Sequence, residues 1–267
     1  MKEDYIIFAV GECDYAIEVN KVERILPITE ITPIPYMNKC IKGVINYQNH
    51  LLPIIDLRYI FNVTAYDEVM KKLFTQVQND HSIWVESFKN AMDKNRTFNL
   101  TTDHHACRLG KWLDNFSTHN ENIAAILREL RPAHKQLHQM GQEILDIREQ
   151  DIHQAQKMTD DLVHTIYQST STQINKLIDC SHTVSDQLQK LLICVENDIW
   201  FALQIDGAKD IIHVDKAEIK PMKQESGTNE FVQLQGVIET QENLVLIIES
   251  INVKELSSKN LPTVNMA

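Results

Sequence analysis

From Tyr5 to Phe61 apolar residues fall in short runs, YIIFAV, YAIEV, KGVINY and HLLPIIDL, separated by turn formers such as TPIPY. β-Branched and aromatic residues broken by turn formers at close intervals predict short strands of a small barrel. Pro27, Pro33, Pro35 and Pro53 agree, because a proline inside a helix removes a hydrogen bond and clashes with the preceding turn. The same texture returns between Leu191 and Ile251, in LLICV, IWFALQI, AKDIIHV, GVIET and NLVLIIESI. Between Asp67 and Lys190 the period changes. That stretch holds one proline and two glycines, and its apolar residues recur at spacings of three and four, which predicts amphipathic helices. Val77, Ile83, Trp84 and Phe88 are expected on one face of a first helix, and Ile123, Ile126, Leu127 and Leu130 on a face of another. A last long helix is expected from about Ile152 through Ala155, Leu162, Ile166, Ile174, Leu177 and Val184 to Leu188. Three or four such helices with short connections make a bundle.

The pattern predicts an α+β chain in which a helical bundle interrupts a β module. Each strand-rich block has about sixty residues, marginal for a core of its own. Two halves that pack together are therefore expected in preference to three independent domains. Insertion is tolerated at exposed loops whose ends lie close together. The expected boundaries are 1–66 and 191–257 for the β halves, 67–190 for the helical insert and 258–267 for a frayed tail.

Composition narrows the function. A net charge of -11 and a pI near 5.4 argue against a nucleic-acid binder, which needs a clustered Lys/Arg surface. No segment reaches the ~18 consecutive apolar residues of a membrane span. The opening MKEDYIIFAVGECDY lacks the length and cleavage pattern of a signal peptide, so a cytoplasmic chain without direct membrane insertion is expected. The sequons at Asn95, Asn99 and Asn115 are then irrelevant. Five dispersed cysteines imply no disulfide framework in a reducing compartment. No Ser/His/Asp pattern, P-loop or dinucleotide-binding glycine run is present, and seven glycines leave little room for phosphate-cradling loops.

The candidate chemistry lies in the helices. His134 and His138 are four apart, so their imidazoles project from one helix face with Cβ atoms about 5–6 Å apart, a spacing that suits chelation. Zinc takes imidazole nitrogen and thiolate sulfur and usually wants four ligands in a tetrahedron. Cys107 is the natural third, and His81, His104 and His105 compete for the fourth place. Two blander readings stand beside this one: a solvated face for the histidines and a small buried thiol for Cys107. A zinc hydrolase is the sharper rival. It fails because HKQLH carries Lys135 where the protease motif HExxH has its general-base glutamate.

HSIW, CRLGKWL and AHKQLHQMG, in that order on a helical segment, resemble the chemoreceptor zinc-binding (CZB) domain. That family has a histidine on its first helix, a C-x-x-G-[KR]-W run and an H-x-x-x-H pair. The resemblance implies the ligand set His81, Cys107, His134 and His138, and leaves His104 and His105 near the start of the Cys107 helix without a direct role. The flanking stretches FAVGECDYAIEVNKVERILPITEITPIPYMNKCIKGVINYQNHLLPIIDLR, ICVENDIWFALQIDGAKDIIHV and LQGVIETQENLVLIIESINV are similar to the two halves of a CheW domain. This chemotaxis coupling module is made of two small SH3-like barrels.

The two resemblances imply two CheW-like barrels with a four-helix CZB bundle inserted between them. The function implied is a non-enzymatic signal-transduction adaptor that links chemoreceptor tips to the histidine kinase. Its bound zinc would sense zinc itself or an oxidant through the cysteine, or serve only as a structural staple. The CZB family also implies a homodimer. One departure bears on partners. After GVIN, where the CheW family usually has an arginine and a glycine, this chain has Tyr47, Gln48, Asn49 and His50, and neither Gln48 nor His50 reproduces a guanidinium fork.

Overall fold

The computed structural model describes residues 2–35, 37–222, 231–240 and 243–253. The expected tail at 258–267 lies outside the described residues. The chain divides into two compact units. One comprises Met1–Tyr66 with Asp186–Ala267, and the other is Asp67–Ser185.

The first unit is all strand but for short turns of helix. Its six-stranded sheet contains β1 (Lys2–Val10), β2 (Cys13–Glu18), β8 (Gly207–Asp215), β9 (Lys220–Pro221), β10 (Val232–Glu239) and β11 (Leu244–Ile251), ordered β8-β1-β2-β11-β10-β9. Its five-stranded sheet contains β3 (Val22–Pro27), β4 (Ile41–Tyr47), β5 (His50–Asp56), β6 (Lys190–Glu196) and β7 (Ile199–Ile205), ordered β3-β6-β7-β5-β4. Neither sequence block makes a sheet alone. Each sheet is antiparallel except at one parallel junction, β2 beside β11 or β5 beside β7, where an N-terminal strand meets a C-terminal one.

Two hairpins turn on asparagine. Gln48 and Asn49 (φ 50° and 66°) join β4 to β5, and Asn197 and Asp198 (φ 51° and 63°) join β6 to β7. Positive φ at both central residues marks the I′-type turn, whose twist matches that of the flanking strands. His50, just past the first turn, stacks on Trp200 with ring centroids 5.4 Å apart. Phe8, Ile17, Ile55, Leu192, Phe201, Leu203 and Ile248 form one core drawn from both sheets.

A buried ion pair sits where the chain leaves and re-enters this unit. The short helix α1 (Leu57–Ile60) is capped by Asp56 and carries Arg58. The Arg58 guanidinium grips Asp206 with both arms, Nε to Oδ1 at 2.7 Å and Nη2 to Oδ2 at 2.6 Å, with side chains only 7% and 9% exposed. The Gly11 amide (2.6 Å) and Gln189 Nε2 (3.1 Å) also donate to Asp206. Arg58 donates to the Thr64 carbonyl and lies over the Tyr66 ring.

The second unit is helical: α2 (Tyr66–Asp93), α3 (Arg108–Asn115), α4 (Glu121–Arg148), α5 (Ile152–Asp161), a π-helical turn Leu162–Tyr167, α6 (Gln168–Asp179) and α7 (Ser181–Leu188), whose last residues pass into the first unit. The buried stripe of α2 runs Met70, Phe74, Val77, His81, Trp84, Val85, Phe88, and that of α4 runs Ile123, Ile126, Leu127, Leu130, His134, Leu137, His138, Gly141, Ile144. Ile83, expected on the α2 face, is 49% exposed. One residue before Trp84 is about 100° around the helix, off the stripe. The expected single last helix is interrupted by the π turn and ends at Cys180, where α7 begins afresh. Ala155, Leu162 and Ile166 pack against Trp84, Phe88, Leu137 and Ile144, so that part of the apolar stripe is covered within the chain. Among the described residues no helix is long and apolar enough to cross a membrane.

Candidate metal centre

Three of the buried stripe positions are imidazoles, where a helix of this kind ordinarily presents Leu or Ile. His81 is 3% exposed, and His134 and His138 are each 1%. An unpaired buried polar group costs free energy unless something takes up its hydrogen-bonding capacity. For His81 the Val77 carbonyl does half of this, accepting from Nδ1 at 2.8 Å and leaving the Nε2 lone pair free. His138 has no hydrogen-bond partner on either ring nitrogen among the described residues.

Cys107 completes the set. It is the N-cap of α3, and its sulfur accepts from the Gly110 amide at 3.2 Å. Gly110 is fixed here by space: a Cβ on it would stand 1.8 Å from the His104 carbonyl oxygen, so only glycine lets the backbone fold over itself behind the sulfur. A helix N-terminus also favours a thiolate.

The donor atoms of His81, Cys107, His134 and His138 all lie within 4.8 Å of one another. The sulfur is 3.2 Å from His134 Nε2 and 4.0 Å from His81 Nε2. Zinc bonds of about 2.0–2.3 Å in a tetrahedron put neighbouring donors about 3.3–3.8 Å apart, so these distances bracket what one ion requires. The imidazole rings stand edge to face, with centroids 4.9 to 5.8 Å apart.

Electrostatics suit a cation. Burial, then the proximity of His81 and His138, holds His134 down to about 2. Burial and the neighbouring His81 and His104 hold His138 down to about 4. Burial also lowers His81. All three imidazoles are thus neutral at pH 7, the form that binds metal. Burial raises the Cys107 thiol, opposed by the Gly110 and Leu109 amides, so its thiolate needs a cation to stabilise it.

The two other candidates stand outside the group. His104 is half-buried, its ring centroid 6.1 Å from that of His134, and exposed His105 is held by Asp114 at 2.8 Å. Sequence reasoning missed what positions His138. The Trp84 ring lies 5.1 Å from it and is pinned by a 2.8 Å hydrogen bond to the Thr101 carbonyl. Gly141, one helical turn beyond His138, makes room for that indole, since a Cβ there would lie 2.6 Å from Trp84 Cη2. An isolated glycine inside a helical pattern was the available signal.

The model of the CheW-like domain matches residues 4–83, and that of the chemoreceptor zinc-binding domain matches residues 81–145, a span that includes all four clustered residues. The chemotaxis protein CheW of Thermotoga maritima is 25% identical over 77 residues, 29% of this chain and 51% of that protein. The CheW of Klebsiella aerogenes is 37% identical over 68 residues, 25% of this chain and 41% of that protein. The chain thus spans about half or less of the curated relatives it matches. The crystal structure of scaffolding protein TtCheW from Thermoanaerobacter tengcongensis superposes with a TM-score of 0.47 at 12% identity, covering 98% of each chain. The chain therefore carries a CheW-like domain followed by a chemoreceptor zinc-binding domain, and its His81, Cys107, His134 and His138 form a group able to hold the zinc ion.

Proposed function

We propose that this chain is a non-enzymatic cytoplasmic chemotaxis adaptor. Its helical unit holds one zinc ion through His81, Cys107, His134 and His138, and the state of that site modulates coupling of chemoreceptors to their histidine kinase. The observation that carries the reading is the convergence of three neutral, buried imidazoles and one sulfur from α2, α4 and the start of α3. A full tetrahedral shell of protein donors leaves no open position for substrate water, and Lys135 stands in place of a general base, so hydrolysis is disfavoured. Bound zinc would stabilise the Cys107 thiolate. An oxidant such as hypochlorous acid, itself reduced to chloride, converts that sulfur to a sulfenic acid and weakens the fourth donor. The missing arginine beside Gln48 points to weaker contact with the usual partners. Dimerisation, implied by the CZB family, would have to use a surface other than Ala155, Leu162 and Ile166.

Metal analysis of the purified chain tests the site. One equivalent of zinc is expected, lost in His134→Ala and in His81→Ala. Full retention in His81→Ala would remove His81 from the ligand set. Kinase coupling measured for wild type and Cys107→Ala, with and without zinc, tests regulation, and superimposable curves would reduce zinc to a staple. A staple also predicts that a chelator melts the helices. A sensor predicts reversible zinc loss with helicity retained.

A further inference from the structure

A cavity of about 210 Å³ opens beside the four-residue cluster and shares His134 with it. It is far larger than the ~10–15 Å³ a single water needs. Its polar wall is unlike the rest of this acidic chain. Arg131 and Lys135, one turn apart on α4, face it together with His104 and His105, against the single carboxylate of Asp114. That carboxylate is engaged by His105 Nδ1 at 2.8 Å. Arg131 is positioned by one bond, Nη2 to the Phe116 carbonyl at 3.0 Å, and among the described residues its other donors have no partner. Lys135 has no ion-pair partner among the described residues. Gly110, whose amide holds the Cys107 sulfur, belongs to the same wall.

We infer that this cavity is a binding site for a small oxyanion-bearing chelator, held by Arg131 and Lys135 against the His134 side of the metal group, and that zinc enters and leaves the protein through it. The inference rests on the zinc reading of the cluster. Local charge favours an anion. Three neutral imidazoles, one thiolate and a divalent ion carry about +1 together, adding to the charge of the cavity wall. The chain as a whole carries -11, so this region opposes the general field and would concentrate an anion that the remaining surface repels. The three histidine ligands are at least 97% buried, whereas Cys107 is half-buried. An incoming carboxylate that displaces a donor from this side leaves the helices packed. The exchange is a substitution of ligands without electron transfer: a carboxylate of the chelator takes the place of His134, which leaves as a neutral imidazole, and Cys107 takes a proton from water once the ion has gone.

The test compares two chelators on the zinc-loaded full-length protein by stopped-flow release. Nitrilotriacetate is anionic; tetrakis(2-pyridylmethyl)ethylenediamine is neutral. In the wild type, release to nitrilotriacetate should rise and then saturate with chelator concentration, and slow as salt is added. Arg131→Gln with Lys135→Gln should slow it about tenfold, the lower end of what a charged cleft contributes to association. Release to the neutral chelator should stay within about twofold, with zinc content and circular dichroism unchanged. Equal slowing with both chelators, or no slowing with either, overturns the inference. A wild-type protein that holds no zinc at the start overturns the zinc reading and this one with it.

Discussion

Gly141→Ala sets two effects of known size against each other. Alanine is the better helix former by about 0.8–1.0 kcal/mol, so propensity alone predicts stabilisation of α4. The added methyl, however, would lie 2.6 Å from Trp84 Cη2 and 3.1 Å from Cζ2, where carbon atoms prefer about 3.5–4.0 Å. The indole cannot easily retreat. It stacks on Phe88 at 5.2 Å, meets the Phe98 edge at 5.3 Å, is 5% exposed and donates to the Thr101 carbonyl. Overpacking of this kind costs about 1–3 kcal/mol, and losing a buried hydrogen bond adds about 1 kcal/mol or more. The clash wins, and the substitution should destabilise the helical unit by about 1 kcal/mol or more, before any effect on zinc. Urea unfolding of the zinc-free protein, followed by far-ultraviolet circular dichroism and tryptophan fluorescence, measures it. In a Trp84→Phe background the colliding atoms are gone, and the same substitution should become stabilising. A Gly141→Ala protein at least as stable as wild type, with Trp84 intact, would refute the account of how the ring beside His138 is held.

Asp206→Ala should cost about 3–5 kcal/mol in urea unfolding, because it strands the buried Arg58 guanidinium together with the donors of Gly11 and Gln189. Combining it with Arg58→Met should cost less than the sum of the two single changes, and strict additivity would mean the ion pair is not coupled. Thiol alkylation of the native protein at pH 8, read by mass spectrometry, should label exposed Cys13 within minutes. Cys40, pushed up to about 11 by burial, and Cys194, raised further by burial and by Glu196, should stay unlabelled until the chain unfolds. Cys107 should become reactive only after chelation, and labelling unaffected by zinc would place its sulfur outside a metal shell. Zinc at about a hundredfold its dissociation constant should stabilise the helical unit by about 2.7 kcal/mol, and His138→Ala should abolish the gain.

Much of this was legible because it is local. His134 and His138 share a face by helical spacing alone, and the change from strand to helix texture follows from side-chain periodicity. What escaped depends on tertiary partners. Ile83 reads as apolar like its neighbours, yet the stripe is set by what α2 packs against. Nothing in LVHTIY announces a π turn, whose cause is a shift of hydrogen-bond partner by one residue. The two strand-rich blocks carry no mark that β2 pairs with β11 or β5 with β7, since pairing across the insert is a long-range choice. Asp206 directly follows β7, and its partner Arg58 lies 148 residues away in sequence. Gly110 and Gly141 are explained only by atoms contributed from elsewhere.

The ion pair of Arg58 and Asp206 has a consequence for how such a protein is assembled. Thr64, close to where the strand-rich unit breaks off, and Gln189, close to where it resumes, are both tied to that one pair. That pair therefore links the two cut ends of the strand-rich unit to each other. A guest domain at this position needs only termini near enough to reach both ends. A short glycine–serine bridge replacing residues 67–185 should leave the strand-rich unit folded, with a strand-type circular dichroism spectrum and a cooperative urea transition.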